Sequence, residues 1–211
     1  MAAETVILIF AKAPVPGEVK TRLIPALGEQ GAAMLHTALV ERTITTAQAT
    51  RLDVVLCCAP DATHNFFTDC AEDFDIVLAE QSDDANLGAR MLGSLNEALL
   101  TWPRVLLIGA DCPALDKRHL LEAAEKLATH DVVLTPADDG GYVLIGASQT
   151  RPTMFAGIDW GTEHVLAQQH AALNHAGLTA HNLPMLWDVD RPDDLARLKT
   201  LKPPLEFFWP I

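Results

Sequence analysis

The stretch Val105-Leu-Leu-Ile-Gly-Ala-Asp-Cys-Pro-Ala-Leu115 decides the fold, because it predicts a buried strand that ends at a carboxylate. Its first four residues are apolar and lie between Pro103 and Gly109, as in a strand covered on both faces in the middle of a parallel sheet. Ligands of open α/β sheets bind beyond the carboxyl ends of the strands, so we expect Asp111 to face a crevice. Taken alone, Asp111 would be a simple turn residue.

Apolar runs alternate with helical patterns along the chain. Alternation of this kind is typical of βαβ units, so we predict an α/β fold of three layers, α/β/α, with a mainly parallel central sheet in one domain over residues 1–211. Strands are predicted at 5–10, 53–59, 75–79, 105–108, 131–136 and 141–146, and a last extended segment at 183–187. Helices are predicted at 28–50, 61–71, from within 81–91 to about 101, at 117–129, at 162–176 with Thr162 as its cap, and from Pro192 to residue 199.

Composition excludes several classes of function. A net charge of −13 would repel a phosphate backbone, so nucleic acid is not expected as a partner. The chain starts without a basic leader and has no apolar run of the ~20 residues that would span a bilayer, so we expect a cytoplasmic protein without a membrane partner. The four cysteines lack C-x-x-C spacing and are interpreted as reduced core thiols.

A basic loop follows the first strand. Lys12, Lys20 and Arg22 lie in a segment restrained by two prolines and a glycine, in an otherwise acidic protein. Such cations beyond a strand end favour a phosphate site, because Lys offers a compact charge and Arg a bidentate fork. The alternative is three solvated surface cations.

The segment before the fourth strand offers candidates for nucleotide binding. Gly88 would let a ligand approach the backbone, and the amide of Asn86 could read a base edge. Arg90, in the same segment, is a further candidate for nucleotide binding. A helix cap at Asn86 and a packing role for Gly88 are equally compatible with the pattern.

The stretch Ala137-Asp-Asp-Gly-Gly141 separates two apolar runs and predicts a hairpin, because Asp-Gly between such runs is a strong turn signal. The turn could also bind substrate. In that reading Gly140, Gly141 and Tyr142 contact the substrate, while Asp138 or Asp139 accepts a hydroxyl proton.

The carboxylates Asp111, Asp188 and Asp190 all follow apolar segments and are expected at one edge of the sheet. Two carboxylates ~4 Å apart would repel by about 4 kcal/mol at an effective dielectric near 20, so they need a cation or a shared proton. With oxygen ligands only, Mg²⁺ or Mn²⁺ is favoured over zinc. The alternative for Asp190 is a capping turn before Pro192.

The chain resembles the transferase family associated with radical-SAM and selenodomain proteins, which is glycosyltransferase-like and linked to arsenosugar biosynthesis. That family is similar in turn to the 2-phospholactate and molybdenum-cofactor guanylyltransferases. The resemblance covers nearly the whole chain and implies the GT-A fold of nucleotide-diphospho-sugar transferases. It rests on Phe10-Ala-Lys-Ala-Pro-Val-Pro-Gly-Glu-Val-Lys-Thr-Arg-Leu23, Gly109-Ala-Asp-Cys-Pro113, Pro136-Ala-Asp-Asp-Gly-Gly-Tyr142, Trp160-Gly-Thr162 and Asp188-Val-Asp190.

By position, the resemblance implies that Asp111 is the metal aspartate, that Asp188 or Asp190 is its second ligand, and that Lys20 and Arg22 contact phosphate. The chain departs from the family pattern at three places. Ala85-Asn86-Leu87-Gly88 stands where Gly-Asp-Leu-Gly is expected, Ala110 where Ser is common, and Gly161 where Ser is expected.

Three functions follow as hypotheses. The first is a metal-dependent glycosyltransferase that uses a nucleotide-activated donor and a small-molecule acceptor, with Asp139 or Asp138 as general base. The second is a nucleotidyltransferase, which suits the cations of the basic loop because its chemistry needs positioning and charge stabilisation. The third is a nucleotide-binding module without turnover. The aromatic tail at 203–210 should pack on the body or on a partner subunit, which leaves a homodimer open.

Overall fold

The computed structural model describes residues 4–205 and 207. A seven-stranded sheet forms its centre, and helices cover both faces. The strands are β1 Thr5–Lys12, β2 Asp53–Ala59, β3 Val77–Glu80, β4 Arg104–Gly109, β5 Val132–Pro136, β6 Tyr142–Ala147 and β7 Ala180–Asn182. The helices are α1 Ile24–Gln48, α2 Asn65–Phe74, α3 Leu87–Ala98, α4 Lys117–Lys126, α5 Val165–His175 and α6 Leu195–Leu198, with short 3-10 turns at Thr21–Leu23 and Pro192–Asp194.

The strand order is β3-β2-β1-β4-β6-β5-β7. Only β6 runs against its two neighbours, and the remaining pairs are parallel. The mainly parallel sheet is therefore confirmed, and β5 and β6 form the hairpin predicted from Asp-Gly. Strand β4, which contains the apolar run Val105 to Ile108, lies in the middle of the sheet beside β1, and all four of these residues are buried.

Two apolar layers hold the helices on the sheet. Alternate β1 side chains point to opposite faces: Ile7 and Ile9 pack with α1, α2 and α4, whereas Val6 and Leu8 pack with α3 and α5. This arrangement is the three-layer α/β/α architecture expected from the sequence. All four cysteines are buried and free, as predicted.

Several boundaries differ from the sequence prediction. Strand β1 continues to Lys12, and α1 begins at Ile24 with a break at Gly28, whose φ of 69° only glycine adopts readily. Helix α5 begins at Val165 rather than Thr162, because the Thr162 hydroxyl donates to the Asp159 carbonyl in a preceding turn.

The end of the chain also differs. The last strand is Ala180–Asn182. The predicted extended segment 183–187 forms no strand and contacts the end of β5 only through isolated backbone hydrogen bonds and one bridge, since Pro184 has no N–H to donate. The final helix is the short α6.

The described part of the tail packs on the body of the molecule. Leu205 and Phe207 contact a cluster formed by Leu23 and by α1, so this part of the predicted packing is confirmed. The other residues of the aromatic tail, 206 and 208–210, lie outside the described residues. Within the described part of the chain, no helix has the length and apolar character needed to cross a membrane.

Candidate functional site

A cleft of about 700 Å³ opens at the carboxyl ends of β1 and β4. The chain leaves β1 toward β2 on one side of the sheet, and β4 lies on the other side, so the cleft is at the switch point of the topology. Of the predicted site residues, Lys12, Lys20, Arg22, Arg90, Asp111, Asp139, Gly141, Tyr142 and Asp190 line it.

Lys20 and Asp111 form the centre of the cleft. Lys20 has a left-handed backbone, with φ of 47°, and its side chain is only 5% exposed. Its ammonium lies 2.6 Å from Asp111 Oδ1 and donates to the Val189 carbonyl, also at 2.6 Å. Burial works against the charged form of Asp111, but the Lys20 ammonium outweighs it and lowers the pKa of this carboxyl. Lys20 therefore holds two sides of the cleft together and keeps one N–H for a ligand.

Asp188 lies near Lys20 and Asp111, because the N–H of the next residue, Val189, donates to the Asp111 carbonyl at 2.9 Å. Burial, reinforced by the charges of Asp139 and Asp111, raises the pKa of Asp188 to about 6. A cluster in which Lys20 is the near cation for several carboxylates has the chemistry of a hard-cation site.

The fit to Mg²⁺ or Mn²⁺ is partial in the described residues. Among residues 4–205 and 207, no group of three or more His, Cys, Asp or Glu side chains is close enough to form a complete metal site. Mg²⁺ commonly takes one or two protein carboxylates and completes its shell with water and substrate phosphates. Asp111 lines the cleft and fits that pattern, and Asp188 is close enough to interact with its charge but does not itself line the cleft.

Arg22 and Asp190 pair with each other at the rim of the cleft. The N-cap residue before Pro192 is Arg191, and the Asp194 side chain satisfies the start of the turn by accepting from Asp190 N at 3.0 Å and from Arg191 N at 2.8 Å. The alternative that Asp190 caps this turn is therefore not realised. Lys12 is exposed, lines the cleft and forms no ion pair within the described ranges, so its charge is open to a ligand.

The hairpin loop places its two aspartates differently. Asp139 lines the cleft, and its Oδ1 accepts from Gly141 N at 2.9 Å. Asp138 instead pairs with Arg197 at 2.7 Å. Gly140 has φ of 91°, and a Cβ there would lie 2.3 Å from the Glu163 carbonyl oxygen. Glycine is therefore needed for the loop to pack closely on the backbone of Glu163.

At the start of α3, Asn86 and Gly88 have the structural roles that were the alternatives to nucleotide binding. Asn86 caps the helix by accepting from Ala89 N at 3.1 Å. Gly88 is buried, and a Cβ there would lie 2.9 Å from the Phe155 Cβ and 3.0 Å from the Trp160 ring. Neither residue lines the cleft, and contact of either with a ligand stays a prediction.

Tyr142 forms part of the cleft wall. Its hydroxyl donates to Gln169 Oε1 at 3.0 Å, and burial raises its pKa. Its ring meets the Trp160 ring edge-on, with centroids 6.4 Å apart. These contacts fix Tyr142 as an apolar surface for a ligand rather than as an acid or base.

Sequence reasoning missed three lining residues. His36 contacts the Lys12 carbonyl through Nε2 at 2.9 Å, and burial lowers its pKa. Gln81 is buried and lies 3.3 Å from Arg90 through Oε1. Trp160 was noticed only within a motif. His36 lies within α1 and Gln81 directly follows β3, and no local pattern distinguishes either residue from a core position.

Comparisons with known proteins agree on the fold. No curated protein matches the sequence. A protein from Desulfovibrio desulfuricans G20, named as a "putative nucleotide-diphospho-sugar transferase", is 32% identical and superimposes with a TM-score of 0.83 over 93% of this chain and 88% of its own.

Two more distant structures show the fold alone. The 4-diphosphocytidyl-2C-methyl-D-erythritol synthase of Anaerococcus prevotii DSM 20548 is 12% identical, with a TM-score of 0.58 over 92% of this chain and 96% of its own. The inositol-1-phosphate CTP transferase of T. maritima is 11% identical, with a TM-score of 0.55 over 92% of both chains.

These similarities show an α/β fold of the kind found in nucleotide-diphospho-sugar transferases and cytidylyltransferases. A family model matches residues 42–162, from the second half of α1 to the turn before α5. This region includes Asp111 and the hairpin loop with Asp139. The chain belongs to DUF2064, a family described as uncharacterized proteins conserved in bacteria.

Proposed function

We propose that this protein is a metal-dependent transferase that uses a nucleotide-activated donor, with glycosyl transfer from a nucleotide-diphospho-sugar as the reaction. The observation that carries the proposal is the meeting of carboxylates and cations at one strand edge. Asp111 and Asp188 lie beside Lys20, while Lys12 lines the same cleft with its charge open. A diphosphate needs both a hard cation and basic side chains, and this edge offers sites for both.

Mg²⁺ or Mn²⁺, held by Asp111 and Asp188, would supply charge neutralisation for the departing diphosphate. In this proposal Asp190 joins the ligands only if it leaves Arg22, which then contacts phosphate. Lys12 binds the phosphates from the β1 side, and Lys20 keeps Asp111 ionised and oriented.

Asp139 is the proposed general base for the acceptor hydroxyl. It lines the cleft, and its bond to Gly141 N occupies Oδ1, so Oδ2 can accept the proton. Asp138 is less suitable because Arg197 holds it outside the cleft lining. Gly141 and Tyr142 then form the floor on which the substrate rests.

Nucleotidyl transfer is the second candidate. It is supported by the shared fold of the cytidylyltransferases and by the four Lys and Arg side chains that line the cleft, since that reaction needs alignment and charge stabilisation more than a base. The resemblance to transferases associated with radical-SAM proteins supports glycosyl transfer instead. A binding module without turnover is the third candidate.

Phosphorus NMR of the full chain with Mg²⁺ would test these proposals. One sample receives pooled nucleotide sugars, and another receives pooled nucleoside triphosphates with phosphorylated acceptors. Slow release of a nucleoside diphosphate, lost in Asp111→Asn, supports glycosyl transfer with water as a poor acceptor. Release of pyrophosphate supports nucleotidyl transfer. Absence of turnover and of Mg²⁺-dependent line broadening in both samples would reject a nucleotide donor.

A further inference from the structure

We propose that the cleft selects a donor base with an oxo group at the purine 6 or pyrimidine 4 position, guanine or uracil, and that Arg90 makes this choice. The inference rests on the proposed function, because it names the donor class of the same cleft. It comes from the hydrogen-bonding state of three side chains that sequence reasoning left without a chemical role: Gln81, Arg90 and Trp160.

Gln81 fixes the direction of Arg90. Its side-chain amide donates to the Cys57 carbonyl at 2.8 Å and to the Ala11 carbonyl at 3.3 Å. Because both contacts engage Nε2, the amide oxygen faces the other way and accepts from Arg90 Nη1 at 3.3 Å. Gln81 is only 8% exposed, so this orientation is enforced by its surroundings.

Arg90 carries a charge and donors that the described residues do not satisfy. It lines the cleft and forms no ion pair with any carboxylate in the described ranges, and its buried Nε has no acceptor. A guanidinium only donates, and Arg90 offers five N–H groups, of which Gln81 accepts one. A ligand that binds here must therefore present acceptors.

Trp160 has the same feature and also lines the cleft. Its indole Nε1 is also buried without an acceptor, and its ring packs against the first turn of α3 at Gly88. Together with Tyr142 it gives the cleft an aromatic surface beside the guanidinium. Arg90 and Trp160 both line the cleft, so donors without acceptors lie in the wall that a ligand would contact.

A flat apolar wall next to donors matches a nucleobase better than a sugar hydroxyl, which both donates and accepts. The two candidate subsites are also connected, because the Ala11 carbonyl that accepts from Gln81 immediately precedes Lys12, the proposed phosphate contact. Base and phosphate sites thus share one strand end.

Donors without acceptors discriminate between bases. Guanine presents O6 and N7, and uracil presents O4, all of which accept. Adenine and cytosine carry an amino group at the equivalent position, which would face the guanidinium donor to donor.

Titration calorimetry of the full chain with GDP, UDP, ADP and CDP in the presence of Mg²⁺ tests the inference. We expect GDP or UDP to bind at least about tenfold more tightly than ADP and CDP. Tightest binding of CDP or ADP would overturn the inference while leaving the proposed function standing. Failure of all four to bind would overturn the proposed function itself.

Variants separate base recognition from phosphate recognition. Arg90→Gln presents both a donor and an acceptor, so the affinities for GDP and UDP should fall to within about threefold of those for ADP and CDP. Trp160→Phe keeps the ring but removes the N–H, and should narrow the preference partly if Arg90→Gln does not fold. Lys12→Gln is the matched control and should weaken all four nucleotides by a similar factor. An unchanged preference in both Arg90→Gln and Trp160→Phe would contradict the proposal.

Discussion

The two ends of the sheet form cavities of different chemistry. The cleft at the carboxyl ends encloses about 700 Å³, and a second cavity of about 430 Å³ lies where β2 and β3 begin. Each end has a tryptophan in its wall. Trp102, at the second cavity, donates to Asp53 at 2.7 Å, whereas Trp160 has a buried N–H with no acceptor.

The side-chain N–H donors differ in the same way. At the second cavity, the Gln48 amide donates to the Phe74 carbonyl and the Trp102 indole donates to Asp53. In the cleft, carboxylates crowd around Lys20, while Arg90 and Lys12 have no ion pair in the described chain. In the proposed function, a ligand that supplies a cation and acceptor atoms would engage the carboxylates, Arg90 and Lys12 of the cleft.

Asp111→Asn should have the largest effect, because it removes a charge at the centre of the cleft. We expect product formation in the phosphorus NMR assay to fall by about 10²–10³-fold. The matched control at the other end is Asp53→Asn, which keeps an acceptor for Trp102 and should leave turnover unchanged. Equal losses in the two variants would contradict the contrast between the ends.

Lys20→Met should destabilise the protein, since it leaves neighbouring carboxylates without their buried cation. The loss in free energy of unfolding should be about 1–3 kcal/mol, reduced from the value of a fully buried pair because Asp111 is 50% exposed. Mg²⁺ should restore more stability to Lys20→Met than to the parent protein, measured as the shift in Tm. If Mg²⁺ shifts neither Tm, the carboxylates are not its site.

Arg197→Ala should act on the hairpin loop that carries Asp139. Arg197 pairs with Asp138 at 2.7 Å and stacks over Trp187 with 4.4 Å to the ring centroid. Release of this contact should raise KM for the acceptor by a few fold, on the order of 1 kcal/mol or less for an exposed pair. Lys117→Ala, which removes an exposed cation of α4 outside the lining of both cavities, is the comparison variant. A fall in kcat of more than about 100-fold would show that Asp138, and not Asp139, is the base.

Asp131→Asn should have the smallest effect, because Asp131 lies outside both cavities. Its carboxylate accepts from Thr179 N at 2.8 Å and Thr179 Oγ1 at 2.7 Å, and these bonds lower its pKa. A lowered pKa in the folded state stabilises the protein above the unfolded pKa of about 3.9 and ceases to do so as pH falls through the folded value.

The variant should therefore lose about 0.5–1 kcal/mol at pH 7, after allowance for solvent screening, and the difference should shrink below about pH 4. Denaturant unfolding at several pH values measures this. A difference that persists unchanged at pH 3 would mean that the contact does not depend on ionisation.

The sequence by itself determined the layers of the fold and the edge of the sheet at which the candidate site lies. Apolar runs such as Thr5 to Phe10 and Val105 to Ile108 specify buried parallel strands, because only side chains covered on both faces lack polar alternation. Asp-Gly between 137 and 141 specified the hairpin, and the residue types after β1 and β4 placed cations and carboxylates at one edge. These features depend on local pattern and on the direction of parallel strands.

The tertiary structure decided which of these side chains are matched and which are free. Lys20 binds Asp111 and Val189, and Asp138 pairs with Arg197, although these partners are far apart in sequence. Gln81 and Arg90 are only nine residues apart, but the orientation of Gln81 is set by the carbonyls of Ala11 and Cys57 on two other strands. Hydrogen-bond partners depend on distances between separate elements, which no local pattern encodes. Nine of the residues that line the cleft could therefore be predicted from the sequence, but only packing determined which of them remain available to a ligand.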